Sequence, residues 1–116
     1  MSRIPAIDPA KADARQKPLL DAVQKKLGKT PNMMRVLANS PAALQAYLDF
    51  GAALSGGALS AKVREQIALT VGEVNQCDYC LSAHTAIGGM VGLKPEQVAA
   101  ARSAAASDPK TDAALK

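Results

Sequence analysis

The chain has 116 residues, enough for one domain and too few for two, and although 48% of them are hydrophobic only 3% are aromatic, with 24 alanines. Alanine buries little area per side chain and favours helix over pleated sheet, so the core is expected to be thin, the fold all-α, and an all-β architecture is excluded. The formal net charge of +4 sits in the N-terminal third, where eight Lys or Arg up to Arg35 face three Asp, yet Tyr47, Phe50 and Tyr79 all lie outside that stretch, so no stacking surface accompanies it and nucleic acid is not an expected partner.

Along the chain, residues 1–14 read as an irregular segment, with prolines and acidic residues where a signal peptide would need an apolar run. No apolar stretch approaches the roughly 20 residues of a membrane span, so membrane is not an expected partner and a cytoplasmic location is expected. Residues 15–116 read as a single helical domain. Lys17 to Leu27 has a helical pattern closed by Gly28, and Thr30-Pro31-Asn32 opens a second helix over Met33 to Ala38. Ser40-Pro41 repeats the start signal for Ala42 to Leu54, which Gly56-Gly57 ends.

Ser60 caps the most regular segment, Ala61 to Val74. Val63, Ile67, Val71 and Val74 form one apolar stripe, and Ala61, Glu65, Ala68, Leu69 and Gly72 form a second on the opposite side. A helix apolar on two sides is expected to be packed on two sides, which makes Glu65 a candidate buried acid. A further helix runs from about Asp78 to Val91 and stops at Gly92, and another starts at Lys94-Pro95-Glu96 and continues to about Ala105. Asp108-Pro109 announces a last helix with two turns of sequence left before Lys116, either a very short element or a shortened form of a longer domain. The small-residue faces Ala99-Ala100-Ala101 and Ala104-Ala105-Ala106 are expected to be covered by neighbouring subunits, making the protein a homo-oligomer with a marginal monomer.

The two cysteines form one C-x-x-C, Cys77 to Cys80. A bridge closing so short a loop contributes only about 2 kcal/mol in the chain-entropy model, so redox chemistry or metal binding explains the pair better than stapling. His84, the single histidine, follows Cys80 by four residues and is its neighbour on the helix surface. Cys77 sits one turn earlier, at a helix N-terminus whose free N–H groups favour a thiolate. Burial of Glu65 would suit it to proton transfer. Glu73, on the turn before Cys77, is a supporting candidate or a plain helix-end charge, and Tyr79 a packing or interface residue. Zinc would find only three ligands in Cys77, Cys80 and His84 where a structural site needs four, so no metal or bound cofactor is expected. A thioredoxin arrangement would need a strand before the motif, and none is present.

The stretch Leu59-Ser60-Ala61-Lys62-Val63-Arg64-Glu65-Gln66-Ile67-Ala68-Leu69 and the stretch Glu73 to His84 give E-x(11)-C-x-x-C-x-x-x-H with E-x-N ahead of the cysteines. This pattern resembles the alkylhydroperoxidase D (AhpD-like) branch of the carboxymuconolactone decarboxylase superfamily. Pro31-Asn32-Met33-Met34-Arg35 and Asn39-Ser40-Pro41 also resemble its upstream region, so the likeness runs from about Gly28 to Leu115. The resemblance implies an AhpD-like helical bundle, a trimeric or hexameric homo-oligomer, and reduction of organic hydroperoxides without flavin or haem. It implies Cys80 as the peroxidatic thiol and Cys77 as the resolving thiol that meets the reductant. His84 would be the relay histidine and Glu65 the glutamate that draws the proton away. The reductant would be an external dithiol, with a lipoylated protein one possible donor. The best-studied members carry a further histidine at the position of Tyr79, so this chain has one histidine where they have two.

Two other readings compete with this antioxidant peroxidase. A γ-carboxymuconolactone decarboxylase-type enzyme would turn over a lactone regardless of thiol alkylation. A non-enzymatic redox sensor or assembly module would oxidise reversibly without turnover and change its oligomer size.

Overall fold

Side chains that accept backbone N–H groups set most of the helix starts in this chain. The structure, a computed structural model, describes residues 3–116, so the first two residues of the expected irregular segment lie outside it. Seven α-helices follow one another without a strand among the described residues: α1 (Gln16–Leu27), α2 (Asn32–Leu37), α3 (Pro41–Ser55), α4 (Ala61–Val74), α5 (Asp78–Met90), α6 (Pro95–Arg102) and α7 (Pro109–Leu115). The fold is all-α, as the alanine content requires. No helix among the described residues is long and apolar enough to cross a membrane.

The chain divides into two compact units, one up to Leu54 and one from Ser55 onward. In the first, α1 opens on a reciprocal cap: the Asp13 carboxylate accepts from Gln16 N–H at 2.9 Å and Arg15 N–H at 2.8 Å, while the Gln16 side chain accepts from Asp13 N–H at 3.0 Å. Those donors, Gln16 first and then Arg15, hold the Asp13 carboxyl below the usual aspartate range. Gly28 ends α1 in the left-handed conformation, φ 71°, with its N–H on Gln24 O.

The described part of the segment before α1, residues 3–14, has no α-helix. It contains a short 3₁₀ turn, Pro9–Lys11, and is strapped to α2 by Arg35, whose Nε donates to Ile7 O at 2.8 Å, and by Asn39, whose amide donates to Pro5 O at 2.7 Å. Beneath the strap, Leu20, Val23, Met34, Ala38 and Leu44 form the buried core of this unit. Tyr47, Phe50 and Leu54 of α3 are exposed.

In the second unit α4 packs against α5, α6 and α7. Ser60 caps it through Val63 N–H, at the residue expected. Its buried residues are Gln66, Leu69, Thr70 and Gly72, whereas Val71 and Val74 are 52% and 78% exposed. The expectation of packing along the whole valine stripe therefore fails at these two positions within one chain. The favoured face is the one from which the Thr70 hydroxyl donates to Ala101 O at 2.7 Å, fixing the end of α6 on α4.

Two expectations about the C-terminal alanines also need correction. Helix α6 stops at Arg102 rather than near Ala105, because Ala104 adopts φ 52° and its N–H returns to Ala101 O while Ala105 N–H returns to Ala100 O. This is a helix-ending pair of bonds that normally uses glycine. Ala101 is fully buried against Leu69, Leu93 and Leu115 of its own chain, so that position needs no neighbouring subunit to cover it. Helix α7 spans seven residues and is held at its start by Asp108, which accepts from the Thr111 N–H and hydroxyl at 2.8 and 2.7 Å. The same bonds, the Thr111 hydroxyl foremost, keep the Asp108 carboxyl low.

Candidate active site

The turn between α4 and α5 is built on two tight backbone bonds. Gln76 takes the left-handed conformation, φ 51°, so that its N–H reaches Glu73 O at 3.0 Å and Cys77 N–H reaches Gly72 O at 2.9 Å. Cys77 thereby closes α4 with its backbone. Its side chain opens α5: the sulfur is the N-cap and accepts from Cys80 N–H at 3.2 Å. Cys77 and Cys80 are joined as a disulfide with their Cα atoms 5.2 Å apart, within the ordinary span of such bonds.

Gly72 lets the two helices meet at this point. A Cβ there would stand in ordinary contact, 3.4 Å from the Cys80 Cβ and from the Leu81 Cδ2, so alanine would fit and only atoms beyond Cβ would press α5 away from α4 at the cysteine. One turn beyond Cys80, His84 Nδ1 lies 2.7 Å from Glu65 Oε2 on α4. The Glu65 side chain is 16% exposed and that of His84 33%, which places the carboxylate mostly out of water, as its small apolar neighbours imply. An ionised carboxylate only accepts, so opposite it Nδ1 is the donor, and in the neutral imidazole Nε2 is then the nitrogen free to accept a proton.

The sequence candidates thus fall into two bonded pairs and two residues apart from them. Glu65 and His84 are bonded to each other, and Cys77 and Cys80 are bonded to each other on the same pair of helices. Glu73, on the last turn of α4 before the cysteines, is paired with neither couple: its Oε2 accepts from Arg102 Nε at 2.6 Å, a contact that raises the Arg102 guanidinium above its ordinary value. Tyr79 is 45% exposed at the start of α5. Among the described residues no group of three or more His, Cys, Asp or Glu is gathered to hold a metal ion.

Sequence reasoning missed Thr70 and Arg102. Each meets its partner across about thirty positions, with separations of 31 and 29 residues, and no local spacing rule reaches that far. The signal available was only an unmatched Glu73 and an unmatched Arg102 of opposite charge. Chemically, the site offers a sulfur pair that can take up two electrons and a carboxylate-oriented imidazole one turn away.

Known proteins agree with this reading of the fold. The chain has a TM-score of 0.78 and 30% identity to the AhpD core of an alkylhydroperoxidase from Rhodospirillum rubrum, covering 89% of this chain and 80% of that one. Against an AhpD core from Ralstonia eutropha, an uncharacterized peroxidase-related protein, the TM-score is 0.79 with 33% identity over 98% of this chain and 63% of that one. An uncharacterized protein of Haemophilus influenzae is 51% identical over 45 residues, a stretch that is 38% of this chain and 40% of that relative's length. The model of the carboxymuconolactone decarboxylase family matches residues 41–116, and with the AhpD-like fold this establishes that the chain belongs to that family.

Proposed function

We propose that the protein is a dithiol peroxidase that reduces organic hydroperoxides. The observation that carries this reading is the 2.7 Å bond from His84 Nδ1 to Glu65, which leaves His84 Nε2 as a base on the helix face that also carries Cys80. In the reduced enzyme Cys80 loses its proton toward His84, and the thiolate attacks the distal peroxide oxygen. The O–O bond breaks, Cys80 becomes a sulfenic acid, and the alkoxide takes up the proton and leaves as an alcohol. The Cys77 thiol then displaces water from the sulfenic acid, giving the disulfide present in the structure. An external dithiol returns two electrons and two protons and restores both thiols.

The active form we propose is a homo-oligomer, trimeric or hexameric, working in the cytoplasm. The exposed Val71, Val74, Tyr79 and Met90 in the cysteine-bearing unit support assembly.

The test is thiol titration before and after one equivalent of an organic hydroperoxide, with turnover followed using a dihydrolipoyl donor. The native protein should lose two thiols per equivalent, and Cys80→Ser should lose turnover. Full turnover by Cys80→Ser would overturn the assignment.

A further inference from the structure

We propose that Arg102 is a positioning residue that sets which dithiols can reduce the Cys77–Cys80 disulfide, by balancing the carboxylates of Glu73 and Asp78 on the approach to Cys77. This inference rests on the dithiol chemistry proposed above and adds the charge class of the donor.

The argument begins with the residues flanking the disulfide. Glu73 lies four residues before Cys77 and Asp78 immediately after it, and the carbonyl of Glu73 itself is part of the turn that delivers Cys77. Carboxylates on the residue that follows Cys77 and on the last turn of the helix its backbone closes would oppose the reduction in two ways. They repel an incoming thiolate, and they destabilise the Cys77 thiolate released later.

Arg102 is the counter-charge. It comes from the end of α6, bonds Glu73 at 2.6 Å, and also feels the charge of Asp78. Its position is fixed by the adjoining residue, since Ala101 O accepts from the buried Thr70 hydroxyl at 2.7 Å. Thr70 and Glu73 are three residues apart on one side of α4, so both hold the last turn of α6 beside the turn that carries Cys77. The other ionisable groups on these three helices are Lys62, Arg64 and Glu65 of α4, Tyr79 and His84 of α5, and Glu96 of α6; Glu65 and His84 bond each other, Arg64 bonds Leu59 O, and all are common to every variant below.

Reduction proceeds by attack of a donor thiolate on the Cys77 sulfur. The S–S bond breaks, a mixed disulfide forms, and Cys80 leaves as a thiolate that takes a proton. The donor's second thiol then attacks its own sulfur in the mixed disulfide, giving the cyclic donor disulfide and releasing Cys77. Each step brings negative charge to Cys77, at the turn whose helix end carries the Glu73–Arg102 ion pair and whose next residue is Asp78. A donor carrying an additional carboxylate should feel that charge more than a neutral donor of the same shape.

The experiment measures the single-turnover rate of disulfide reduction by dihydrolipoate and by dihydrolipoamide, at low ionic strength, with no peroxide present. The ratio of the two rates should fall about two- to five-fold in Arg102→Met, the range of an exposed charge interaction, and rise by a similar factor in Glu73→Gln. It should stay near the native value in Arg102→Lys and in the double variant, and the differences should shrink in high salt. A structural role would move both single variants the same way and both donors equally, since each breaks the same ion pair, and that result overturns the inference. An unchanged ratio in all variants also overturns it while leaving the dithiol chemistry intact. A disulfide that neither donor reduces would overturn both.

Discussion

The two compact units hold themselves together by different means. The unit up to Leu54 is basic, with eight Lys or Arg against four Asp, and its core is five apolar residues that include Leu20, Met34 and Leu44. The unit from Ser55 balances six basic against six acidic residues. Its core is smaller, with Leu69, Leu93, Ala101 and Leu115 buried, but it is crossed by directional bonds: Thr70 to Ala101, Glu65 to His84, and Glu73 to Arg102. Apolar burial is tolerant of small shifts, whereas a hydrogen bond fixes distance and angle. The first unit uses such bonds to strap down its N-terminal segment, whereas the unit that carries the sulfurs uses them between its helices, α4 to α5 and α4 to α6.

Truncation of a core leucine should separate these modes most widely. Leu69→Ala and Leu44→Ala both remove a fully buried side chain and should each cost roughly 2–5 kcal/mol in chemical denaturation. Leu69 is on the helix that presents Glu65, so its loss should also slow reaction of the reduced thiols with hydroperoxide. Leu44→Ala should leave that rate unchanged. Equal rate losses in the two variants would break the contrast.

Acid should act on both units through one shared device. Asp13 in the first and Asp108 in the second each cap a helix and each have a carboxyl lowered by its hydrogen-bond donors. A folded-state value below the unfolded one means stability that is present above the ordinary aspartate range, near pH 4, and is lost as pH falls through the lowered value. Asp108→Asn keeps a capping side chain without the charge. Its deficit in denaturation midpoint should therefore be greatest at neutral pH and should close below about pH 4. A deficit that stays constant with pH would show that charge at this cap is irrelevant.

The smallest effect is expected at the end of α6. Ala104 holds φ 52°, where a Cβ is unfavourable, so Ala104→Gly should stabilise the second unit by about 1 kcal/mol. A destabilised variant would mean that the Ala104 methyl, which packs on the core of that unit, outweighs the relief of strain.

What was legible in the sequence was whatever depends on neighbours along the chain. Ser60 and Asp108 are the caps their positions announce. Ala61–Val74 has the bounds its periodicity gives, and the C-x-x-C stands at a helix start. Reading Glu65 and His84 as partners came from the motif resemblance, since nineteen positions separate them and helical spacing alone could not join them. The positive φ at Gln76 and Ala104 stayed hidden because neither residue is the glycine or asparagine that signals such a turn. Val71 and Val74 misled for a related reason: periodicity reports that a stripe is apolar, not which element in the same chain will lie on it.

The double duty of Cys77 has a consequence for the rate at which the sulfur pair recloses. Its N–H bond to Gly72 O and the bond from Cys80 N–H to its sulfur are separate from the S–S link, so the helix junction can keep the two sulfurs adjacent when that link opens. Closure is then an intramolecular reaction between groups already oriented. Its effective molarity exceeds the concentration of any dissolved competitor by orders of magnitude. In the proposed peroxidase an activated form of either sulfur would meet its partner before it met a second oxidant, and the turn that begins α5 would then also shield the pair from irreversible oxidation.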